Sequence, residues 1–316
     1  MRGIVLALMI CLYAPTVSAL TIGTGPMGGS YFQIAQDIRN IAGKEGLDIK
    51  VMATKGSFEN LELLYGGKVD LAIVQLDAVR AMGYSSAQQF IADVENRDPG
   101  RTVFDKVKVV LNLYPEEIHV LTKEKNITTF NELEGKRVSV GPPGSGTAVT
   151  AILLFNIYDI RAKVSEEAFE EAVDKMERGV LDAVIFVGGA PVPFIGGLDD
   201  QFQFVPLPMN PALEEIYLKT ALGKQLYPWA RADTRTYAVP SAIMGLNKKD
   251  QEYAARVQRL VLTILNNREQ LEAKGHPKWK SSTLRTYSSS RGYEPTNAVI
   301  QMFEILDKQG YKLIKK

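Results

Sequence analysis

The chain has 316 residues, and its 37 basic and 36 acidic side chains leave a formal net charge of +1 at pH 7. Because basic and acidic side chains are almost equal in number, the chain has no general electrostatic attraction for nucleic acid or for an anionic membrane surface. No nucleic-acid partner is therefore expected. The length of the chain fits two lobes of ordinary domain size, each with a well-filled core.

The N-terminus has the pattern of a secretory signal peptide. A short basic start, Met1–Gly3, precedes an unbroken apolar run, Ile4–Tyr13, and small residues suit cleavage before Leu20. The sequence therefore predicts that residues 1–19 direct export through the inner membrane and that the mature protein is periplasmic. Cys11 is the only cysteine and leaves with the signal, so no disulfide or thiol chemistry is expected.

The mature chain opens on a short strand, a glycine-rich turn and an amphipathic helix. Thr21–Gly23 is the predicted strand and Ser30–Ala42 the predicted helix. The turn also spells G-x-G-x-x-G from Gly23, a dinucleotide fingerprint that needs an acidic residue at the end of the next strand. The next predicted strand, Ile49–Thr54, ends without one, so dinucleotide binding is not expected.

The start of the second helix has two interpretations. Ser57 is well placed as its N-cap, and Asn60, three residues on, could return a capping hydrogen bond. Both residues could instead contact a ligand. A short apolar run, Leu71–Val74, then predicts a strand that is buried on both faces. Gln75 and Asp77 follow its C-terminal end, which is where open α/β sheets place their ligands.

The stretch Arg137–Thr150 is the strongest indication of a ligand site. An alternating run passes into the turn Gly141–Thr147 and then into a nearly uncharged helix. Glycines allow close approach of the backbone, and the first N–H groups of a helix have no partner within it, so the turn favours an anion or a carboxylate. Alternatively, Ser145 or Thr147 only caps the helix. A nucleotide phosphate loop is excluded because Thr147 follows Gly146 without a lysine.

The second half of the chain repeats the plan of the first. A helix is expected to start at Val164–Glu167, where a cap precedes acidic residues that suit the helix dipole. A buried strand, Ala183–Val187, then leads into Gly188–Pro191, a backbone-rich edge suited to close approach. Both halves therefore have the pattern of an α/β lobe.

Two stretches, Val107–Thr122 and Thr236–Met244, are predicted to cross between the lobes and to form a hinge over a cleft. The first contains two strand-like runs separated by Tyr114–Glu117. Pro115 and Pro240 within them are typical of strand ends, not strand centres. The chain after the second run is expected to be helical from about Lys248 to Ala273. This places residues 20–113 and 237–316 in one lobe, and residues 114–236 in the other.

Catalytic patterns are scarce. The chain has two histidines, His119 and His276, and the apolar surroundings of His119 are typical of a structural residue. Neither Ser145 nor Ser57 lies in a G-x-S-x-G motif, and no metal-ligand spacing occurs. The sequence therefore predicts no enzyme activity, no cofactor and no metal site, with a hydrolase built on Ser145 or Ser57 as the open alternative.

A set of short motifs runs in order from Leu20 to about Ile243. They read T-I-G-T-G, G-G-S-Y, G-S-F-E-N-L, V-D-L-A-I-V-Q-L-D, L-Y-P-E, L-E-G-K-R-V-S-V-G-P-P-G-S-G-T and L-D-A-V-I-F-V-G-G-A-P. Each motif alone is weak, but the ordered set resembles the TAXI family, the extracytoplasmic solute-binding proteins of TRAP transporters. The resemblance implies a two-lobed type II periplasmic-binding-protein fold, with hinge strands and a ligand cleft between the lobes.

The resemblance also implies a function, the delivery of a small carboxylate to the membrane subunits of a TRAP transporter. Glutamate-like amino acids, dicarboxylates and keto acids are the expected ligands, and the protein is expected to act as a monomer. The candidate ligand-binding residues carried over are Ser30, Tyr31, Ser57, Asn60, Gln75, Asp77, Tyr114, Glu116, Ser145, Gly146, Thr147 and Gly189. An amino group on the ligand would pair with Asp77 or Glu116. A periplasmic sensing module that presents its closed form to a membrane receptor remains the alternative.

Overall fold

The computed structural model describes residues 19–82, 106–282 and 296–308. The predicted signal peptide lies outside these residues except for its last residue, and so does Cys11. No helix within the described ranges is long and apolar enough to cross a bilayer.

Strands and helices alternate along most of the chain. The first elements are β1 Leu20–Gly23, α1 Ser30–Lys44, β2 Ile49–Met52, α2 Ser57–Tyr65, β3 Leu71–Gln75, α3 Leu76–Ala81 and β4 Val107–Thr122. After a 3₁₀ turn at Phe130–Leu133 come β5 Arg137–Ser139, α4 Gly146–Ile157, β6 Lys163–Ser165, α5 Phe169–Glu177, β7 Ala183–Gly188, α6 Pro193–Gly196, β8 Gln203–Phe204, α7 Pro211–Glu214 and β9 Leu218–Leu222. The last are β10 Thr234–Leu246, α8 Gln251–Asn266, α9 Arg268–Lys274, a 3₁₀ turn at Pro277–Ser281 and α10 Asn297–Lys308.

The described strands form one sheet in the order β2-β1-β3-β10-β4-β7-β5-β6, with β8 beside β4 and β9 beside β10. The three strands at each end are mutually parallel, and the long strands β4 and β10 join the two ends by antiparallel pairing. We call the end built on β1–β3 the first lobe and the end built on β5–β7 the second lobe. Two parallel α/β lobes joined by two crossing strands are the type II periplasmic-binding-protein arrangement.

Helices cover both faces of the sheet in each lobe. In the first lobe, Ile34 and Ile38 of α1 pack with Leu260 of α8 on one face, and Leu61 and Leu64 of α2 pack on the other. These pairs are three or four residues apart, so they lie on one side of their helix. The second lobe has two clusters in the same way, one around α4 and one around α5. The exact lobe boundaries along the sequence stay a prediction.

Both crossings are continuous strands, although the prolines predicted strand ends. Pro115 and Pro240 pair with each other in the middle of β4 and β10, and the register shifts between Pro240 and Ala242. Because a proline has no N–H to donate, placing two of them opposite each other at a shift in register loses few ladder bonds. The Ser241 hydroxyl donates to the Tyr114 carbonyl at 2.6 Å and supplies one bond there.

Two helix predictions need correction. The stretch predicted to start a helix at Val164–Glu167 overlaps β6, which pairs in parallel with β5, and the helix begins only at Phe169. The pairing partner is distant in sequence, so the local capping pattern did not reveal it. The helix predicted from about Lys248 is two helices, α8 and α9, and Asp250 caps the first by accepting from Glu252 N.

Hydrogen bonds join the lobes directly. The backbone N–H groups of Phe58 and Glu59, at the start of α2, both donate to the Gly144 carbonyl of the second lobe at 3.2 Å. Gly56, which precedes α2, has a φ of +126° and lies against Ser145, so its left-handed backbone brings the two turns together. The first lobe therefore uses a helix N-terminus to hold the second.

A buried carboxylate makes a further connection. Asp77 of α3 accepts hydrogen bonds from Thr150 of α4 and from the Tyr217 hydroxyl, each at 2.7 Å, and from Ala78 N at 2.7 Å. Burial raises the pKa of the Asp77 carboxyl, and these hydrogen bonds oppose that shift. Asp77 thus holds α3 to elements of the second lobe.

We predict that Asp77→Asn lowers the free energy of unfolding by about 1–3 kcal/mol, because the amide places a donor group among three groups that donate. Urea unfolding followed by circular dichroism measures the change. Asp200→Asn removes an exposed carboxylate and is the control, expected to change stability by less than about 0.5 kcal/mol. An Asp77→Asn variant as stable as the wild-type protein would contradict the prediction.

Candidate functional site

A cleft of about 540 Å³ lies between the lobes. The first lobe contributes the turn after β1, the start of α2 and the end of β3, and the second contributes the turn before α4 and the end of β7. The glycine turns beginning near Gly25 and Gly141 therefore line one shared space. Its volume is within the range of small-molecule sites.

The structure brings most of the candidate residues together and separates the rest from the cleft. Those that line it are Ser30, Tyr31, Ser57, Gln75, Glu116, Ser145, Gly146 and Thr147. Those that do not are Asn60, Asp77, Tyr114 and Gly189.

Hydroxyl groups of the central turn hold the backbone in place. Ser145 is the N-cap of α4, and its Oγ accepts from Ala148 N at 3.1 Å. Thr147 Oγ1 accepts from Val187 N at 3.1 Å and fixes the turn to β7. Each hydroxyl keeps its own proton for a further acceptor. Capping and lining are therefore compatible at Ser145.

The two lobes approach each other closely at Gly146, so the cleft is narrow there. A Cβ on Gly146 would lie 1.7 Å from Gln75 Oε1 and 2.8 Å from Ser57 Oγ, so no side chain fits there. Gln75 and Ser57 belong to the first lobe, and Gly146 begins α4 in the second. The glycine in this turn is required by contact between the lobes.

Ser57 does not cap its helix. Gly56 is the N-cap of α2, and Ser57 Oγ accepts from Gln75 N at 3.0 Å. The Ser57 hydroxyl also lies close to the Tyr31 hydroxyl, and this contact opposes the rise in the pKa of Tyr31 that burial causes. The expectation that Ser57 serves as N-cap is wrong because the start of α2 is capped by the Gly144 carbonyl from across the cleft.

Glu116 is a buried carboxyl at the base of the cleft. It accepts from the Tyr31 hydroxyl at 2.9 Å. Burial raises the pKa of Glu116 from its ordinary 4.5 to about 8, although hydrogen bonds from Tyr31 and Gln75 and the charge of Lys278 oppose the shift. The Glu116 carboxyl is therefore largely protonated at pH 7.

Gln75 presents a buried acceptor beside Glu116. The residue is 2% exposed, and its Oε1 has no hydrogen-bond partner among the described residues. An unsatisfied buried carbonyl is costly, so it needs a partner from another source. Its position against Gly146 places this acceptor in the narrow part of the cleft.

Three of the four residues outside the cleft lining hold neighbouring structure. Asn60 Nδ2 donates to the carbonyls of Thr24 and Ile73, and its Oδ1 accepts from Thr54 Oγ1 at 2.7 Å, so it fastens the first turn to β3. Asp77 accepts the hydrogen bonds from the second lobe that are described above. A Cβ on Gly189 would lie 2.8 Å from the Lys278 side chain, so Gly189 allows close packing there.

Tyr114 and its neighbours form the floor beneath Glu116. The Tyr114 side chain is buried, and its hydroxyl lies near Glu116 and Ser30 without a hydrogen bond of acceptable geometry within the described ranges. Next to it, Lys278 Nζ pairs with Glu117 at 2.6 Å, and Glu117 also accepts from Ala190 N at 2.7 Å. This ion pair ties the segment after α9 to β4.

Sequence reasoning missed the apolar side of the cleft. Phe169, Phe186, Val192 and Phe194 all line it. The sequence pattern placed Phe169 on the buried face of a helix and Phe186 in a buried strand. Both placements are correct, but they did not indicate that these rings also line the cleft. No local signal distinguishes a phenylalanine that faces a cleft from one that faces a core, since both follow the same periodicity.

The two histidines have different surroundings. His119 is buried among aromatic rings, and its Nε2 is 2.7 Å from the Tyr227 hydroxyl. Burial lowers the pKa of His119 to about 3, so the ring is neutral. His276 lines the cleft, a position that the sequence did not indicate, and its Nδ1 accepts from Lys278 N at 3.2 Å.

We predict that Glu116 makes the protein less stable as the pH rises from about 5 to 8. A carboxyl whose folded-state pKa is raised holds its proton more tightly when folded, so stability falls between the ordinary pKa of 4.5 and the folded pKa of about 8. Glu116→Gln removes this titration. Urea unfolding at several pH values should show the wild-type protein losing stability relative to Glu116→Gln over this range, and parallel pH profiles would contradict the assignment.

Several solved structures are similar to this chain. One is Tv2483 bound to L-arginine, with 12% identity, a TM-score of 0.49, and coverage of 84% of this chain and 93% of that one. Another is the GluR0 ligand-binding core from Nostoc punctiforme in complex with L-glutamate, with 17% identity, a TM-score of 0.47, and coverage of 81% and 98%. A third is the amino acid ABC transporter substrate-binding protein AbpA from Streptococcus pneumoniae bound to L-arginine, with 15% identity, a TM-score of 0.44, and coverage of 83% and 95%.

At scores this low, the assignment of the fold rests on the strand order and the two crossings. A family model matches residues 22–291, which is most of the sequence. The matched region contains both glycine turns, both crossing strands and all the residues of the cleft described above. The protein therefore belongs to the NMT1-like family.

Proposed function

We propose that this protein is an extracytoplasmic solute-binding protein that captures a small carboxylate between its lobes and delivers it to a TRAP-type membrane transporter. The observation that carries the proposal is the shared cleft, which the glycine turns of the two lobes line from opposite sides. Because each lobe supplies part of the lining, a ligand held there would contact both and favour the closed arrangement.

Donor groups in the narrow part of the cleft suit a carboxylate. The turn before α4 brings the helix N-terminus to the cleft, where backbone N–H groups and the helix dipole favour a negative charge. The Ser57 hydroxyl lies beside the same spot, close to Gly146. The start of α2 contributes less than the sequence suggested, because Phe58 N and Glu59 N already donate to Gly144.

Binding without catalysis is the simpler use of these groups. A hydrolase built on Ser145 would need a base close to its hydroxyl, but among the described residues Ser145 Oγ is bonded to Ala148 N and to no histidine or carboxylate. His276 reaches the cleft lining, and its Nδ1 accepts from Lys278 N. We therefore propose a binding protein that is not an enzyme and needs no cofactor.

The proposed membrane partner and location are supported by the sequence motifs. The ordered motifs between Leu20 and about Ile243 resemble the TAXI family, and residues 1–19 have the pattern of a cleaved signal. We propose TRAP membrane subunits as the partner, a periplasmic location and a monomeric state. Uptake of the bound acid into vesicles that contain the TRAP subunits should require this protein.

The crossing strands are proposed as the hinge. β4 and β10 join the lobes, and the facing prolines Pro115 and Pro240 leave few ladder bonds at the middle of the pair. The proposed lobes are residues 20–113 with 237–316, and residues 114–236.

A thermal-shift screen of small acids tests the binding role. At about 100 times its dissociation constant, a true ligand should stabilise the folded protein by roughly 2.7 kcal/mol. The screen should include amino acids, dicarboxylates and keto acids, and mass spectrometry of the small molecules released on denaturation gives an unbiased check. A flat response to every acid, with no small acid released, would count against the proposal.

We predict that Tyr31→Phe weakens binding of the acid that gives the largest thermal shift by roughly tenfold, since it removes the hydroxyl that orients Glu116 at the base of the cleft. Isothermal titration calorimetry measures the change. Tyr65→Phe makes the same chemical change at an exposed residue at the end of α2 and should leave the affinity as in the wild-type protein. Equal affinities for the two variants would show that Tyr31 has no part in binding.

A further inference from the structure

The cleft has a continuous apolar side. The rings of Phe169 and Phe186 have centroids 4.6 Å apart, and those of Phe169 and Phe194 are 5.5 Å apart and edge-on. Val192 lines the cleft beside them. Phe194 remains 41% exposed, so its ring is available for contact. We call these four residues the phenyl wall, and all belong to the second lobe.

The phenyl wall offers nothing to a second charged group. None of the described residues that line the cleft is an arginine, and the cationic side chain among them is that of Lys55, which is exposed. A carboxylate placed against phenyl rings would lose its hydration without gaining a partner, which is unfavourable. An apolar group in the same place would gain burial.

The opposite side of the cleft offers hydrogen-bond acceptors as well as donors. Gln75 Oε1 is buried without a partner among the described residues, and the Glu116 carboxyl lies beside it at the base of the cleft. A ligand N–H would satisfy Gln75 Oε1, which a ligand carboxylate cannot do. An ammonium group beside Glu116 would also favour the ionised carboxyl and bring its pKa back toward the ordinary range.

We infer that the cleft takes an α-amino acid with an apolar side chain, branched or aromatic, in preference to a glutamate-like acid or a dicarboxylate. The inference rests on the proposed function. The carboxylate lies at the turn before α4, the amino group lies beside Gln75 Oε1 and the Glu116 carboxyl, and the side chain lies against the phenyl wall. Each part of the ligand then meets groups of matching chemistry.

Titration calorimetry with a panel of acids tests the inference on the dialysed full-length mature protein. The probes are L-phenylalanine, L-leucine, L-glutamate, succinate, 2-oxoglutarate and phenylpyruvate, which has the tail of phenylalanine but no amino group. L-phenylalanine or L-leucine should bind at least about tenfold more tightly than L-glutamate, and L-phenylalanine about tenfold more tightly than phenylpyruvate.

Three other results are possible, and each would contradict a different part of the inference. Tightest binding of L-glutamate, succinate or 2-oxoglutarate would overturn the inference and leave the proposed function standing. Equal binding of phenylpyruvate and L-phenylalanine would overturn the role of Gln75 and Glu116 as partners of an amino group. Failure of every acid to bind would overturn the inference and the proposed function together.

A matched pair of variants tests the phenyl wall itself. Phe194→Ala should weaken binding of the preferred apolar amino acid by about tenfold, because it removes a ring from the wall. Leu218→Ala removes an equally exposed apolar side chain on β9, outside the cleft lining, and should leave the affinity unchanged. Phe194 lies on the short helix α6 and is partly exposed, so the variant should fold, and circular dichroism checks this. Unchanged affinity in a folded Phe194→Ala protein would overturn the assignment of the wall.

Discussion

The antiparallel pairing of β4 with β10 is the constraint on which the rest of the structure depends. Through this pair the parallel strands of the first lobe and those of the second belong to one sheet, and the loops at their carboxyl ends face a common space. The same pair positions Glu116, which lies on β4 next to the paired prolines. Changing the register of these strands would move Glu116 relative to Gln75 on β3 and separate the turns that line the cleft.

The polar and apolar groups of the cleft come from different elements. Most polar groups come from turns, strand ends and helix starts, where hydroxyl groups such as those of Ser57 and Thr147 accept hydrogen bonds from the backbone. Glu116 is the exception, since it lies in the middle of β4. Apolar groups come from the start of α5, the end of β7 and residues 192–194, and other residues of α5 and β7 pack into the core of the second lobe. Phe186 shows how one element serves both purposes, since its ring contacts Phe169 and also lies 6.0 Å from the ring of His119.

The sequence predicted the architecture well because glycine turns and apolar runs are local signals. The first helix, the buried strand ending at Gln75 and the capping of α4 by Ser145 agree with the pattern of residues. Three features depended on partners far along the chain and could not be derived in this way. Ser57 is bonded to Gln75 N instead of its own helix, Asp77 is bonded to Thr150 and Tyr217, and residues 163–165 pair with β5. The phenyl wall was not predicted for a related reason. The spacing of apolar residues identifies the buried face of a helix or strand, but not what packs against that face.

The Gly144 carbonyl, which accepts from two N–H groups at the start of α2, has a consequence for how such a carrier would work. Both hydrogen bonds join groups of the protein itself. Part of the free energy that stabilises the closed arrangement of the lobes is therefore independent of the ligand. If the protein is the carrier proposed above, the closed arrangement is also populated without ligand, and a ligand shifts the balance only by its own additional contacts. A membrane partner that recognised only the closed form would therefore also bind molecules without ligand. To select the ligand-bound molecules, such a partner would have to contact the ligand itself.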